Sequence, residues 1–513
     1  MIRRSICGRK LKRLKGLAEI AQRLKKEGYK ILLCHGVFDL IHPGHIRYFE
    51  QASKHDKDIL LVTVTRDEHV NKGPGRPVFN QNLRCESVAA LACVDYVALS
   101  NHPTAVEAIE KIKPDFYVKG ADYKNLSDDV TGGIHKEIEA VKAAGGKFRV
   151  VEEPTLSSTQ LLNAHFSVYG EEAEKFLQGF RKKYSSEEIL EDLKSLKGLR
   201  VLVLGEAIID EYCYCSPVGK SPKEVMFTAK FEWEESFAGG ALACANHVAG
   251  FCDTVDLVTC LGTQNSQEAL IRSKLKPNIR PKFFYRDDSC TIVKRRFVEP
   301  VFLNKMLQVC FLNDQAINEN LEEEISDTLR KMLPEYNLVL VTDYGHGLIG
   351  KKTVETLCRH AKFLAVNTQT NSLNQGYNMI FKYPRSDYIC LDDPEIRLAA
   401  KNRDGNMEAI IREVSEKMEC DLVSVTHGPH GSVNYDKKFG FSKVPALSKK
   451  IVDRMGAGDA YLSITAPCTA KGISADKVGF IGNAAGAMAV GYVGNKNSIE
   501  PVPLAKFIQA LLR

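Results

Sequence analysis

The sequence predicts two consecutive α/β units, and three observations carry that expectation. Apolar strand-like runs alternate with amphipathic helical stretches twice, from Tyr29 to about residue 165 and again from Leu199 to the end. A charged, helix-patterned stretch without strands separates the two series. Each series also holds a glycine-rich turn opening a helix. Such alternation builds a mostly parallel sheet covered on both faces. At 513 residues the chain exceeds what one hydrophobic core organises.

In the first series KILLCHG (30–36) leads to a helix from Pro43, and DILLVTV (58–64) to a helix near 83–91. DYVAL (95–99), a helix at 105–112, DFYVKG (115–120), a helix at 134–144 and KFRVVEE (147–153) complete it. Residues 167–198 are charged and carry no chemistry-bearing motif, which reads as connecting helices between a domain at 1–166 and another at 199–513. The second series opens with LRVLVLGE (199–206) and continues through YNLVLVTDYG, FLAVNT, DYICLDD and DLVSVTHG to a glycine-rich turn at 456–458.

A net charge of +6 from 70 basic and 64 acidic residues is a small surplus for this length and does not argue for nucleic acid as a partner. The 15 cysteines, odd in number and without CxxC or zinc-type spacing, fit reduced thiols. The basic opening MIRRSICGRKLKRLK is not followed by an apolar run of signal-peptide length, and no window reaches about eighteen consecutive apolar residues. These features predict a cytoplasmic protein without a membrane span. A second reading makes the opening a basic amphipathic helix touching anionic lipid.

The strongest local signal is Gly36-Val37-Phe38-Asp39-Leu40-Ile41-His42-Pro43-Gly44-His45, where the first strand gives way to a helix. Glycine lets backbone approach a phosphate, and a helix N-terminus adds oriented N–H donors and a favourable dipole. Two histidines three residues apart can both face that site and hydrogen-bond phosphate oxygens as charge builds. The same pair in isolation also reads as a helix cap or a metal site.

Over residues 30–162 the chain resembles the HxGH nucleotidyltransferase superfamily, and within it the corresponding domain of bifunctional heptose-phosphate kinase and heptose 1-phosphate adenylyltransferase enzymes. The likeness rests on His42-Pro43-Gly44-His45, Lys72-Gly73-Pro74-Gly75-Arg76-Pro77, Arg84, Val118-Lys119-Gly120-Ala121-Asp122-Tyr123 and Ser157-Ser158-Thr159. It implies a Rossmann-like fold in which His42 and His45 bind nucleotide phosphates within a cradle that includes Gly36 and Phe38. Lys72 would hold the triphosphate, Ser158 and Thr159 would meet phosphate at the last helix, and Lys119 and Asp122 would line the pocket. Lys72 and Arg76 also read as a solvated basic loop. His35, and Glu153-Pro154-Thr155-Leu156 before the serines, depart from the family pattern near the base pocket. No general base is required, because a sugar phosphate already presents an anionic oxygen to the α-phosphate. Alignment, charge stabilisation and magnesium (Mg2+) on the leaving pyrophosphate suffice.

The second turn is Val452-Asp453-Arg454-Met455-Gly456-Ala457-Gly458-Asp459-Ala460. Its consecutive amides suit an anion while Asp459 accepts a hydroxyl proton, a pairing fit for phosphoryl transfer. Alone, the same residues read as a helix N-cap. Ala238-Gly239-Gly240 before a helix carrying Asn246, the segment from Lys382 to Asp392 and Glu395, and Thr426-His427-Gly428-Pro429-His430-Gly431 stand in order around it.

Together these motifs resemble the ribokinase-like (PfkB-type) sugar kinases over residues 199–513, and the heptose-kinase branch in particular through Gly205-Glu206, Asp210 and the lid segment 218–224. The resemblance implies an α/β fold with a small β-lid. Asp459 would be the catalytic base and Gly456, Ala457 and Gly458 the anion hole. Asp210, Gly239, Gly240 and Asn246 would contact sugar, Thr426 and Gly428 would contact ATP, and Glu395 a magnesium-bound water. Asp392 stands for the family's usual asparagine and Arg454 for its usual threonine, and the spacing from Gly240 to Asn246 is longer than the family's. Asp343 reads equally as a pocket residue or a strand-end cap.

The pair of resemblances implies a bifunctional enzyme of nucleotide-sugar synthesis that uses ATP and acts on sugar phosphates, giving an ADP-heptose-type product. The family's usual domain order is reversed. Kinases of this fold often dimerise through the lid, here within 212–237, so a homodimer is expected. One alternative is a cytidylyltransferase using CTP with a polyol or sugar phosphate, fused to a kinase of different specificity. Another is a nucleotide-binding scaffold with a degenerate site, against which intact His42, His45 and Asp459 speak.

Overall fold

The computed structural model describes residues 9–70, 76–120, 123, 133–151, 169–221, 223–448 and 451–512. It divides into two compact units, one comprising Met1–Val168 with Ala505–Arg513 and the other Tyr169–Leu504.

The first unit is a six-stranded sheet built from β1 (Leu11–Lys12), β2 (Lys30–Gly36), β3 (Asp58–Thr65), β4 (Tyr96–Ser100), β5 (Phe116–Lys119) and β6 (Lys147–Val150), in the order β1-β4-β3-β2-β5-β6. Every pairing is parallel. That explains why β2 and β3 read as continuous apolar runs: Leu32 and Leu60 face one core, Leu33 and Leu61 the other. The chain winds outward from β2 in one direction and from β5 in the other, so a crevice opens at the C-terminal ends of those two strands. The HxGH turn and Lys119 both lie there.

The basic opening continues into the helix Leu14–Lys26, whose apolar stripe Leu14, Leu17, Ala21 and Leu24 is buried in the unit's own core. This corrects the lipid-contact reading, since the face that would enter a membrane is already used. Among the described residues no helix is long and apolar enough to cross a membrane.

The second unit has a nine-stranded sheet in the order β11-β10-β7-β14-β15-β16-β17-β18-β19. Its strands are β7 (Arg200–Gly205), β10 (Thr254–Gln264), β11 (Ile279–Cys290), β14 (Leu338–Asp343), β15 (Leu364–Thr368), β16 (Tyr388–Asp392), β17 (Leu422–Thr426), β18 (Ser432–Asp436) and β19 (Gly440–Val444). It is parallel from β11 to β17 and ends in two antiparallel strands. A separate four-stranded sheet, β13-β12-β8-β9, is the lid: β8 (Ala207–Lys220), β9 (Phe227–Gly240), β12 (Ile292–Val298) and β13 (Lys305–Phe311).

The two charged helices ahead of β7, Glu171–Lys183 and Ser186–Ser195, belong to this unit and pack on the helix Ala475–Ala489. Phe180 stacks on Phe480 with ring centroids 4.3 Å apart, the Tyr184 hydroxyl donates to Asp476 at 2.7 Å, and Lys477 donates to Asp192 at 3.0 Å. Every cysteine among the described residues is a free thiol.

Candidate active sites in the two units

In the first unit, Gly36 ends β2 and Phe38 follows at φ +49°, turning the chain back so that its ring lies against Gly36; a Cβ there would sit 3.0 Å from that ring. His42 is the N-cap of the helix Pro43–Ala52, its Nδ1 accepting from Gly44 N at 3.1 Å. The capping and phosphate-facing readings are thus compatible, because the neutral imidazole then carries its proton on Nε2, as a donor to an anion must. His45 lies with its ring centroid 4.0 Å from that of His42 and edge-on to Phe38 at 5.6 Å.

Buried polar contacts fix this turn. Asp39 accepts from Val78 N at 2.9 Å and Phe79 N at 3.0 Å, with Arg76 at 3.6 Å. Fully buried Arg84 donates to Val37 O, Thr65 O, Phe79 O and Asp67, which makes it the staple of the cradle. Lys119 is also buried, 3.5 Å from Glu137 and over the Tyr123 ring at 4.7 Å. Glu137 in turn accepts from Tyr117 and from Ala105 N. Burial, helped by Lys119, holds the His35 imidazole down to about 4, and its ring bonds Thr63 and Thr65. His35 is therefore a neutral part of the sheet end at neutral pH. Lys72, Asp122, Ser158 and Thr159 lie outside the described residues.

In the second unit a cavity of about 460 Å³ opens where β14 to β17 end beneath the lid. Asp459, Gly456, Ala457, Gly458, Asp210, Gly240, Thr426, Gly428 and Glu395 all line it. Gly456 caps the helix Ala457–Ala470 at φ +79°, and a Cβ there would come within 2.1 Å of Asn495 Oδ1, so this position requires glycine. Asp459 stands in that helix's first turn, where the dipole favours an anion. Its Oδ1 accepts from the Tyr344 hydroxyl at 2.9 Å. Burial raises its carboxyl to about 6, with Asp210 adding to the rise and Tyr344 and Lys294 opposing it.

Asp210 reaches in from β8, held by Arg296 at 2.5 Å and by Asn495 at 3.2 Å. Gly239 stands beside it in β9, where a Cβ would meet Asp210 Oδ2 at 2.2 Å, so its role is to admit the carboxylate. Gly240, at φ +57°, turns β9 into the helix Ala241–Ala249.

Asn246 lies apart from this cavity. Its amide donates to Lys274 O and accepts from Lys276 N, both at 3.0 Å, and it lines a separate small recess. Asp343 also stays outside, its oxygens taken by Tyr383, Lys382, Asn378 and Gly345 N. Sequence reasoning missed Lys294, Arg296, Tyr344 and Asn495, all of which line the cavity. It also missed Asp453, which ties the anion turn to lid residues Tyr212 at 2.7 Å and Lys305 at 2.5 Å.

Asp392 and Glu395 form a capping box at the helix Asp393–Ala400, with Glu395 also accepting from Thr370 N at 3.0 Å. Burial first, then Asp392 and Asp459, push the Glu395 carboxyl up to about 8. Asp392, Glu395 and Asp459 set three carboxylates around one cavity, two of them raising Glu395, and this hard-oxygen donor set fits magnesium. Among the described residues no three acidic, histidine or cysteine side chains converge closely enough to cage a metal alone.

A parallel-sheet crevice with an HxGH turn defines the first unit as a nucleotidyltransferase-like domain, and the lidded sheet with its GAGD turn defines the second as ribokinase-like. The family described as pfkB family carbohydrate kinase matches residues 199–502 and the one described as Cytidylyltransferase-like matches 33–191, so the chain belongs to the pfkB carbohydrate kinases and carries a cytidylyltransferase-like domain ahead of the kinase domain. Two similar curated proteins are both called "Bifunctional protein HldE". That of Geobacter metallireducens is 35% identical over 166 residues, 32% of each chain, and that of Gluconobacter oxydans 39% over 137 residues, 26% of this chain and 27% of the relative. The chain thus spans about a third of the length of the curated relatives it matches. Escherichia coli phosphofructokinase-2, solved in complex with potassium, shares the fold at 15% identity and a TM-score of 0.50, over 61% of this chain and all of that one.

Proposed function

We propose that the chain is a bifunctional transferase of nucleotide-sugar synthesis. Its kinase domain, 199–513, phosphorylates a sugar of the heptose-phosphate type with ATP, and its first domain, 1–166, transfers a nucleotidyl group to the resulting sugar 1-phosphate. The product is of ADP-heptose type. The observation that supports this most is the meeting of Asp459, the 456–458 amides and Asp210 around one cavity that Thr426 and Gly428 also line.

In the kinase step Asp210 orients the sugar, and Asp459, ionised above about pH 6, takes the proton of the attacking hydroxyl. The new sugar O–P bond forms as the bond between the γ-phosphorus and the β–γ bridging oxygen breaks, and ADP leaves. The 456–458 amides receive the charge that develops on the transferred phosphoryl group. Glu395 and Asp392 would hold magnesium through water, and when bound it neutralises phosphate charge. In the first domain the anionic oxygen of the sugar 1-phosphate attacks the α-phosphorus and pyrophosphate leaves, while His42 and His45 donate to the phosphate oxygens.

The reading places the enzyme in the cytoplasm as a homodimer joined through the lid, where Phe231, Trp233 and Leu307 stand exposed. Mass-balance assays test it: sugars and sugar phosphates are incubated with each nucleoside triphosphate, and ADP and pyrophosphate are measured. ADP from a sugar phosphate, with pyrophosphate from ATP and a sugar 1-phosphate, is expected. Pyrophosphate from CTP alone selects the cytidylyltransferase alternative, and neither product sinks the reading.

A further inference from the structure

The recess that Asn246 lines has a volume of about 120 Å³ and is distinct from the kinase cavity, Asn495 being the one residue that lines both. His247, in the last turn of the helix Ala241–Ala249, also lines it and is only 3% exposed. Its Nδ1 accepts from Ile499 N at 2.8 Å, so the ring proton sits on Nε2, which has no partner among the described residues. Burial, helped by Lys276, holds this imidazole down to about 3, so it stays neutral and offers that single N–H. A buried donor left unmade costs about 1–3 kcal/mol, which favours an acceptor in the recess.

Charge narrows the choice of acceptor. Lys274, Lys276 and Lys496 line the recess, and among the described residues no carboxylate does. Glu500 offsets Lys276 and Glu235 offsets Lys496, each at 2.6 Å, but Lys274 has no ion pair among the described residues. Asn497 adds an exposed amide without a partner there. Pockets for nucleotide-sized ligands begin at about 300 Å³, so this space is too small for one and suits a single tetrahedral anion.

We propose that the recess binds one phosphate group, with the His247 Nε2–H and the Asn497 amide as neutral donors and Lys274 as the counter-charge. Two sources share that chemistry: free inorganic phosphate, and the phosphate of a small ester. Asn495 donates to Asp210 at 3.2 Å, so an occupant bears on the sugar end of the kinase cavity from outside it. That consequence rests on the kinase reading, whereas the binding does not.

Hydrogen–deuterium exchange of the full chain at constant ionic strength tests the site, with the ATP analogue AMP-PNP and magnesium present throughout to fill the kinase cavity. The amides of Lys276 and Ile499, bonded to Asn246 and His247, report from two walls of the recess. Inorganic phosphate is expected to slow exchange over residues 274–278 and 495–499. Lys274→Gln should raise the phosphate concentration for half protection about tenfold, and Lys274→Arg should leave it within about twofold, which separates lost charge from lost fold. Glycerol 3-phosphate assigns the source: protection at lower concentration than inorganic phosphate points to an ester, and at higher concentration to the free anion. No protection of the wild type by either compound, or equal protection in Lys274→Gln, overturns the proposal. Absence of ADP formation with every sugar would sink the kinase reading and leave this binding result standing.

Discussion

Replacing Asp459 with asparagine separates charge from shape at the kinase centre. Asparagine keeps an oxygen for the Tyr344 hydroxyl and stays at the helix N-terminus, but cannot ionise. In the wild type, burial raises the carboxyl from 3.8 to about 6. A carboxyl raised on folding holds its proton more tightly in the native state. That stabilisation is complete below about pH 3.8 and is lost as pH rises through about 6. The gap of about 2.2 units, 6 minus 3.8, corresponds to about 3 kcal/mol at 1.36 per unit. Solvent reaching a half-buried carboxylate, and the lost attraction of the helix dipole, reduce this to about 1–2 kcal/mol. Urea unfolding at pH 7.5, followed by a probe in the second unit, should therefore show Asp459→Asn more stable than wild type by that amount, the difference closing towards pH 4. Its ADP-forming kcat/KM should fall by about 10²–10⁴ while pyrophosphate formation from supplied sugar 1-phosphate is unchanged. A variant that is less stable at pH 7.5, or whose advantage does not depend on pH, refutes the claim that this base is held at a cost to the fold.

Tyr344→Phe removes the donor that favours the ionised carboxylate, so the acid limb of the kinase pH–rate profile should move up from about 6 by about one unit; an unmoved limb in a folded variant denies the contact its role. His42→Ala should lower pyrophosphate formation by about 10²–10³ with ADP formation intact, and cost the first unit about 1 kcal/mol of cap energy in a melt. Asn246→Ala should lower unfolding stability by about 1–3 kcal/mol yet leave the sugar KM within about twofold, because its amide bridges Lys274 and Lys276. A large KM increase would restore it to the substrate site.

Five strands of each of the two larger sheets and both anion turns were legible because their signals are local. β2 and β3 are apolar runs of strand length, and each turn announces itself through glycines beside a helix start. The helices at 171–183 and 186–195 were legible as helices but not as part of the second unit, since the Phe180–Phe480 stack spans 300 residues of chain. Tyr344 and Arg296 were missed for the same reason. One meets Asp459 from 115 residues away and the other meets Asp210 from 86, and no local pattern encodes either meeting. The alternation of Lys294 and Arg296 along a strand was visible, but which face turned inward was fixed only by register with β8.

We propose Asp459 over its acidic neighbours as the base on geometry as much as on charge. Ranked by perturbation alone, Glu395 at about 8 and Glu206 at about 7 would both precede it. Glu206, however, gives one oxygen to Tyr344 N and the other to His346 N, each at 3.0 Å, and does not line the cavity. Glu395 lines it, but its oxygens accept from Asp392 N and Thr370 N, which fixes the carboxylate as a bracket between two strand ends. Asp453 is drawn below its ordinary value, burial being outweighed by Lys305 and Tyr212, and so holds the lid to the turn rather than a proton. Asp459 combines a carboxyl that titrates just below neutrality, a single side-chain donor fixing one oxygen, and a place at the amides where transferred charge must fall. Burial alone marks braces and bases alike, and what separates them here is whether the carboxylate faces a space that a substrate can enter.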